Sequence, residues 1–380
     1  MKVIILGAGL VGGPIAMDLA ADSNFKVHLA DISEIRLEAI ESKFPIQKIE
    51  QDLSDIVSLK QLVKNYDYVI NAVPGFMGYQ TVKAIIEAGI NLIDIAFMPE
   101  DAFELDQLAK DKGVSAIVDC GVAPGMSNLL MGYAHNLLDE TVTGTIYVGG
   151  LPKKRVLPWE YKAVFSPVDV IEEYTRPARL VENFKEIIKP ALTESEFIDF
   201  PSVGTLEAFN TDGLRSLIYT IKARHLKEKT LRFPGYIDKI KVLKESGFFD
   251  EEEVIINGNK IKPIDFTSQV LFPKWKLEDG DADFTVMQIT ADGIKAGKKM
   301  LYQYDLYDEY DDESGIHSMA RTTGYTASSV LRLIQRGYKP ADGVIFPELL
   351  GSDHTFVKNL LKELETKGIE YKETISNDTD

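Results

Sequence analysis

A chain of 380 residues, 45% of them apolar, has room for two domains with sizeable cores, since one domain takes roughly 100–200 residues. Asp and Glu (59) outnumber Lys and Arg (42), and the resulting net charge of -17 weighs against nucleic acid and anionic membrane as partners. A single cysteine, Cys120, excludes an internal disulfide framework and fits a reducing compartment. The opening MKVIILGAG lacks the basic stretch, long apolar core and cleavage site of a signal peptide. No run reaches the roughly 18 apolar residues of a membrane span, so a cytoplasmic protein is expected.

The first 120 residues alternate between two textures. Apolar, β-rich runs occur at KVIILG, KVHLAD, PIQKIEQD, DYVINAV, NLIDIAF and SAIVDCG. Helix-period stretches lie between them: GPIAMDLAAD, SEIRLEAIESKF, LKQLVKN, YQTVKAIIEAG and AFELDQLAKDKG. Such alternation predicts a doubly wound α/β domain with a parallel sheet covered on both faces, over residues 1–121. From residue 122 glycines and prolines cluster, and TVTGTIYVGG, EEVIIN, FTVMQITAD and KKMLYQYDLYDE read as hairpins and meanders. This predicts an α+β domain with an antiparallel sheet over 122–315, including two strands joined by a Gly-containing turn in VMQITADGIKAGKKMLYQYDL. Residues 316–370 hold two helices, MARTTGYTASSVLRLIQRG and HTFVKNLLKELETKGI, around the short GVIFP, and are expected to pack back on the first domain. The polar residues 371–380 are expected to form a flexible tail.

Gly7-x-Gly9-x-x-Gly12 follows the first strand and opens the first helix. Gly7 permits the tight turn, Gly9 lets backbone approach a pyrophosphate, and Gly12 lets helix and strand pack closely. With Leu10 and Val11 between them, the loop offers N–H groups and a helix N-terminus to phosphates. Asp31 ends the second strand, nineteen residues after Gly12, where a carboxylate accepts hydrogen bonds from a ribose diol and repels a 2′-phosphate. NAD is therefore expected over NADP, with Arg36 the residue able to reach a 2′-phosphate. Asp52 either flanks the adenine or caps the helix starting near Leu53. Asn71, Ala72 and Val73 end the fourth strand at the edge where the cofactor lies.

Three further stretches carry polar residues in unusual company. The first runs from Asp119-Cys120-Gly121 to Asn128. Cys120 reads either as a nucleophile or as a small buried residue, with no histidine near it in sequence to activate it. Tyr161 and Lys162 in WEYKAVFSP either face a cleft or sit on a surface-edge strand. Arg215, beside Asp212 in EAFNTDGLRSL, and Arg232 in TLRFPGY supply forks for a substrate carboxylate or are ordinary surface charge. His225 and His317 are isolated and no HxxxH or CxxC spacing occurs, so no metal is expected. The run Asp308–Glu313 reads as a solvated turn.

Taken together, GAGLVG, VINAVPG, EAGINLIDIA, DCGVAPGMSN, YVGGLP, YKAVFSP, EAFNTDGLRSL, LRFPG and MARTTGYTASSV resemble the saccharopine dehydrogenase-like family, and most closely its L-lysine 6-dehydrogenase branch. The resemblance covers about residues 1–370. It implies a Rossmann domain, an α+β domain carrying substrate and dimer contacts, and a C-terminal segment that returns to the Rossmann domain. The implied chemistry is NAD(P)-dependent oxidation at a carbon bearing an amine, and in the lysine branch release of ammonia from the ε-amine of L-lysine. The implied assembly is a homodimer. The saccharopine branch instead forms or splits a secondary amine, as carboxynorspermidine-type reductases do, and FNTDGLRS stands where saccharopine reductases carry a run like PNRDS. Hydride leaves a C–H beside nitrogen only when the amine is neutral, so the site needs a base. Asp94 and Asp119, ending the fifth and sixth strands, are candidates, with Tyr161 a third group able to move a proton. Asn128, Asp212, Arg215 and Arg232 are the candidate substrate contacts. The reading from a different class is a non-catalytic NAD-binding paralogue.

Overall fold

The structure is a computed structural model. It describes residues 1–163, 167–278 and 280–377, without the side chains of 167–169. Part of the WEYKAVFSP segment (164–166) and the last residues of the expected tail (378–380) lie outside the described residues. The chain divides into two compact units, Met1–Asn136 with Ala320–Glu370, and Leu137–Met319 with Tyr371–Asp380.

In chain order the first unit begins β1 (Lys2–Leu6), α1 (Gly12–Ala20), β2 (Lys26–Asp31), α2 (Glu34–Ala39), β3 (Gln47–Glu50), α3 (Ile56–Val63), β4 (Tyr68–Asn71), α4 (Gly75–Glu87), β5 (Asn91–Asp94), α5 (Asp106–Lys112), β6 (Ser115–Ile117) and α6 (Met126–Leu137). The second unit contains β7 (Glu140–Pro152), α7 (Pro167–Thr175), β8 (Ala178–Glu182), β9 (Lys185–Lys189), β10 (Glu196–Phe200), β11 (Gly204–Asn210), α8 (Leu217–Thr220), β12 (Ala223–Arg232), α9 (Tyr236–Glu245), β13 (Val254–Ile256), β14 (Asn259–Ile261), α10 (Pro263–Trp275), β15 (Asp283–Lys295) and β16 (Lys298–Glu309). Then come α11 (Ser318–Gln335), β17 (Gly343–Ile345), α12 (Pro347–Leu350) and α13 (His354–Glu365), and finally β18 (Tyr371–Asn377).

The first unit is built on a seven-stranded sheet in the order β17-β6-β5-β4-β1-β2-β3, parallel at every pairing. Parallel strands are buried on both faces, and Val3, Ile4, Ile5 and Leu6 of β1 are fully enclosed. Local signals set the helix starts. Asp55 caps α3 by accepting from the N–H groups of Val57 and Ser58, and Asp353 caps α13 through Thr355 and Phe356. Gly113 ends α5 in the left-handed conformation. The strand order reverses between β1 and β4, so the loops after these two strands adjoin at their carboxyl ends. Residues 122–136, which the change of texture assigns to the second domain, belong to the first unit. Here α6 lies so close to α12 that a Cβ on Gly132 would stand 2.3 Å from the carbonyl of Glu348.

The second unit holds a nine-stranded sheet with the path β10-β11-β12-β7-β15-β16-β18, with β8 and β9 attached at β12. The expected antiparallel sheet is in fact mixed, because β12 runs parallel to β7 from Ala223↔Thr141 to Thr230↔Val148. The long excursion between β7 and β12 lets the chain re-enter in the same direction, as parallel neighbours require. The β15–β16 hairpin forms as the glycine turn predicts. Ala296 and Gly297 both have positive φ (50° and 75°), the two-residue geometry whose twist matches paired strands. The expected flexible tail is corrected over its described part, since 371–377 is strand β18, antiparallel to β16. Its side chains are mostly exposed, so its order comes from backbone pairing that polarity does not reveal. Asp308, expected in a solvated turn, is buried near the end of β16.

Candidate functional site

The glycine loop has the geometry of a phosphate cradle. Gly7 has φ 101°, and a Cβ there would stand 2.5 Å from the carbonyl oxygen of Ala72. At Gly12 a Cβ would stand 1.9 Å from the carbonyl of Gly7. Both positions therefore admit only glycine, for the turn and for the close approach of α1 to the loop. Gly9 is different. A Cβ there meets nothing within 4 Å, so its backbone borders open space. No side chain caps the α1 N-terminus at Val11, which leaves first-turn N–H groups beside Leu10 and Val11 for an anion. Asp31 accepts from the N–H of Ala8 and of Ser33, both at 2.8 Å, so it braces the loop. Each of its oxygens keeps a lone pair for a ribose hydroxyl. The exposed Arg36 stands 4.0 Å from Asp31. These residues fit a dinucleotide.

Asp52 does not cap the following helix. It binds the N–H and hydroxyl of Ser54 at 2.9 and 2.6 Å, while the next helix is capped by Asp55. Asn71, Ala72 and Val73 follow as expected at the end of β4. Asn71 is fully buried, and its amide donates to Asp94 Oδ1 at 2.6 Å. The β4–β5 register sets this pair, since Asn71 lies opposite Asp94. Cys120 N donates to the Asp94 carbonyl at 2.8 Å, and Asp119 adopts φ 53° just beyond β6. The carboxyl ends of β4, β5 and β6 thus gather Asn71, Asp94, Asp119 and Cys120. Burial, then the charges of Asp94 and Asp119, push the Cys120 thiol far above its ordinary value. Cys120 is therefore the small buried residue and not an activated nucleophile. The chain turns tightly through Gly121 and Gly125 into α6, which buries Asn128. Ser127 Oγ donates to Asn128 Oδ1 at 2.8 Å.

The second unit holds Tyr161, Asp212, Arg215 and Arg232. Arg232 is 1% exposed, which removes the surface-charge reading. Its Nη2 donates to Glu173 at 2.6 Å and lies 3.4 Å from the hydroxyls of Tyr161 and Tyr174, and its guanidinium stands 4.5 Å over the Tyr161 ring. Tyr161 is buried among Tyr236 and Trp275, not on a surface edge. Burial raises its phenol well above 10, against the opposing pull of Arg232. A phenol so held keeps its own proton near neutrality, which argues against a general-base role. Asp212 is gripped by Arg179 in a fork, Nε to Oδ1 at 2.8 Å and Nη2 to Oδ2 at 3.0 Å. Arg215 is buried with φ 53°.

Sequence reasoning missed Glu173, Arg179 and Glu228. Glu228 shares one face of β12 with Thr230 and Arg232, and all three are buried. No polar–apolar alternation marks that face, because Lys227 and Lys229 stand between its residues. Nothing local marks Arg179 as the partner of Asp212, 33 residues away. Among the described residues no group of three His, Cys, Asp or Glu could hold a metal, and no helix is long and apolar enough to cross a membrane.

Residues 3–117 match the Saccharopine dehydrogenase NADP binding domain, and residues 121–369 match the Saccharopine dehydrogenase C-terminal domain. The chain belongs to the saccharopine dehydrogenase family. Within this family, carboxyaminopropylagmatine dehydrogenase of Synechocystis sp. is 26% identical over 385 aligned positions, covering 94% of each chain. The mitochondrial alpha-aminoadipic semialdehyde synthase of Mus musculus is 27% identical over 268 positions, which cover 66% of this chain and 29% of that protein. The chain thus spans under a third of the mouse relative's length. Apo saccharopine dehydrogenase (L-Glu forming) from Saccharomyces cerevisiae superposes with a TM-score of 0.80 at 19% identity over 99% of both chains, so the two share a saccharopine dehydrogenase-like fold. The nucleotide-binding match covers β1 to β6 of the glycine-loop sheet, while β17 of that sheet falls in the C-terminal match, which begins at Gly121, inside the turn that joins β6 to α6.

Proposed function

We propose that this chain oxidises the C–N bond of an amino-acid-derived amine with NAD, and that the ε-amine of L-lysine is its substrate. The observation that carries the reading is the gathering of Asp94 and Asp119 at the strand ends of the sheet that also bears the glycine cradle. NAD, when bound, accepts the hydride from the amine-bearing carbon. Gly7, Gly9, Leu10, Val11 and Gly12 hold its phosphates, with Asn71, Ala72 and Val73 flanking it. Asp31 reads the ribose diol, and its charge favours NAD over NADP.

A lysine ammonium has an ordinary pKa near about 10.4, so it must lose a proton before hydride leaves. Asp94 and Asp119 are the carboxylates that take that proton. Asn71 fixes Asp94 by its hydrogen bond, so one carboxylate oxygen is oriented before substrate arrives. Arg215 and Arg232 receive the substrate carboxylate, and Asn128 and Asp212 orient its polar groups. Arg232 meets a carboxylate by exchanging or sharing its bond to Glu173. A homodimer in the cytoplasm belongs to the same reading.

A second reading is favoured by the full-length match to carboxyaminopropylagmatine dehydrogenase. In it the bond oxidised belongs to a secondary amine that joins an amino-acid part to a second amine. The experiment is NADH formation from NAD and L-lysine at alkaline pH, with NADP in parallel. The reverse assay supplies piperideine-6-carboxylate and NADH with glutamate or a diamine. Turnover of lysine alone supports the first reading, and a strict need for the second amine supports the other. Tight NADH binding with silence in every assay would falsify both, leaving a cofactor-binding paralogue.

A further inference from the structure

The turn between β11 and α8 carries Asp212 and the left-handed Arg215, and one buried acid holds it in place. Glu228 Oε2, in the middle of β12, accepts from Thr211 Oγ1 at 2.6 Å and from Gly213 N at 3.1 Å. Thr211 gives its single proton to Glu228, so Thr230, whose hydroxyl is 2.8 Å from that of Thr211, donates in turn. The turn is pressed onto the carboxyl. A Cβ on Gly213 would stand 2.4 Å from both Cδ and Oε2 of Glu228, so no side chain fits there.

The charges around Glu228 do not favour its ionised form. Glu173 on α7 and Asp212 in the turn are both negative. The two guanidinium groups of this network already answer other carboxylates, Arg232 pairing with Glu173 and Arg179 with Asp212. Burial first, then Glu173 and Asp212, against the hydrogen bond from Thr211, push the Glu228 carboxyl up to about 8.

We propose that Glu228 is a positioning residue: by accepting from Thr211 and Gly213 it clasps the turn 211–216 against β12 and so fixes Asp212 and Arg215, and ionising it leaves a buried charge beside Glu173 and Asp212 that favours an opened, hydrated turn. The part played by Arg215 in holding substrate rests on the proposed function, but the clasp does not. In the closed turn the acid keeps its proton up to about 8, whereas in an opened, hydrated turn it titrates as an ordinary carboxyl. Between those values the closed form holds one proton more than the open form. Raising the pH therefore favours opening, by up to about tenfold per pH unit.

The test is hydrogen–deuterium exchange of the segment 211–216 in the full chain between about pH 6 and about pH 8, each rate divided by the intrinsic rate at that pH. Wild type should lose protection by about tenfold or more across this window. Glu228→Gln should hold its protection level with pH, because the amide keeps an acceptor for Thr211 and Gly213 and does not ionise. Glu228→Ala should lose protection at both ends of the window. An identical pH dependence in wild type and Glu228→Gln overturns the proposal. Where turnover is established, KM should rise with pH in wild type relative to Glu228→Gln, while kcat changes less. If exchange differs between the two but KM does not, the clasp stands and the role of Arg215 in binding substrate fails.

Discussion

Asp18→Asn tests how the C-terminal helices are fastened to the helix that follows the glycine loop. Asp18 sits on α1 with 10% of its side chain exposed. Its Oδ2 accepts from Arg332 Nη1 at 2.6 Å and Ser328 Oγ at 2.5 Å, and its Oδ1 accepts from Lys367 Nζ at 2.5 Å. Arg332 also donates to the Asp18 carbonyl at 2.8 Å. Burial disfavours the charge, but Arg332 and Lys367 outweigh it and hold the carboxyl below its ordinary value. Removing one partner of a buried ion pair costs about 3–5 kcal/mol, because the other charge is left uncompensated. Here Asp22 and Glu363 lie 3.6 and 3.7 Å from Arg332 and retain part of that compensation. Asn also keeps one acceptor, so the expected loss is about 2–3 kcal/mol. Urea unfolding of both proteins near neutral pH measures it. Because the folded carboxyl is depressed, its contribution is present above the ordinary carboxylate pKa and is lost as pH falls through the folded value. The gap between wild type and Asp18→Asn should therefore close in acid. A loss below about 0.5 kcal/mol at neutral pH, the scale of a solvated surface pair, would mean that Asp18 does not fasten these helices.

Two further substitutions probe the nucleotide unit. Gly12→Ala places a Cβ 1.9 Å from the Gly7 carbonyl, so α1 must withdraw from the loop. NADH affinity, followed by fluorescence titration, should fall about tenfold or more, equivalent to about 1.4 kcal/mol, and an unchanged Kd would refute the cradle. Cys120→Ala should keep turnover within about threefold, the scale of a small core change and far from the loss of a nucleophile. A collapse of kcat with intact cofactor binding would return the thiol to the chemistry.

The nucleotide unit was legible because its information is local. Apolar runs, glycines at fixed offsets and caps such as Asp55 each act within a few residues, and together they set the strand order and the cradle. The pair Asn71–Asp94 was half legible. Both residues end apolar strands, but their bond depends on register between β4 and β5. The second unit hides more. Its sheet is mixed because β12 returns beside β7 after a long excursion, and no local pattern records the direction of that return. β18 reads as a tail because its side chains are polar and mostly exposed, while its order lies in backbone pairing with β16. Arg232, Glu173, Glu228 and the Asp212–Arg179 fork form a partly buried cluster assembled from distant segments. The sequence shows the charges but not which of them pair, and so not which carboxyl is left holding a proton.

The proposed reaction passes hydride from a carbon bonded to nitrogen to the nicotinamide. Its most direct test is incubation of the full chain with NAD and L-lysine deuterated at the ε-carbon, followed by mass analysis of the reduced cofactor. Each NADH formed should carry one deuterium, with slower turnover than for unlabelled lysine where the transfer limits the rate. If lysine is inert, the deuterated secondary amine formed with glutamate or a diamine carries the same test. Reduced cofactor without deuterium, or no reduced cofactor from any of these amines, would contradict it.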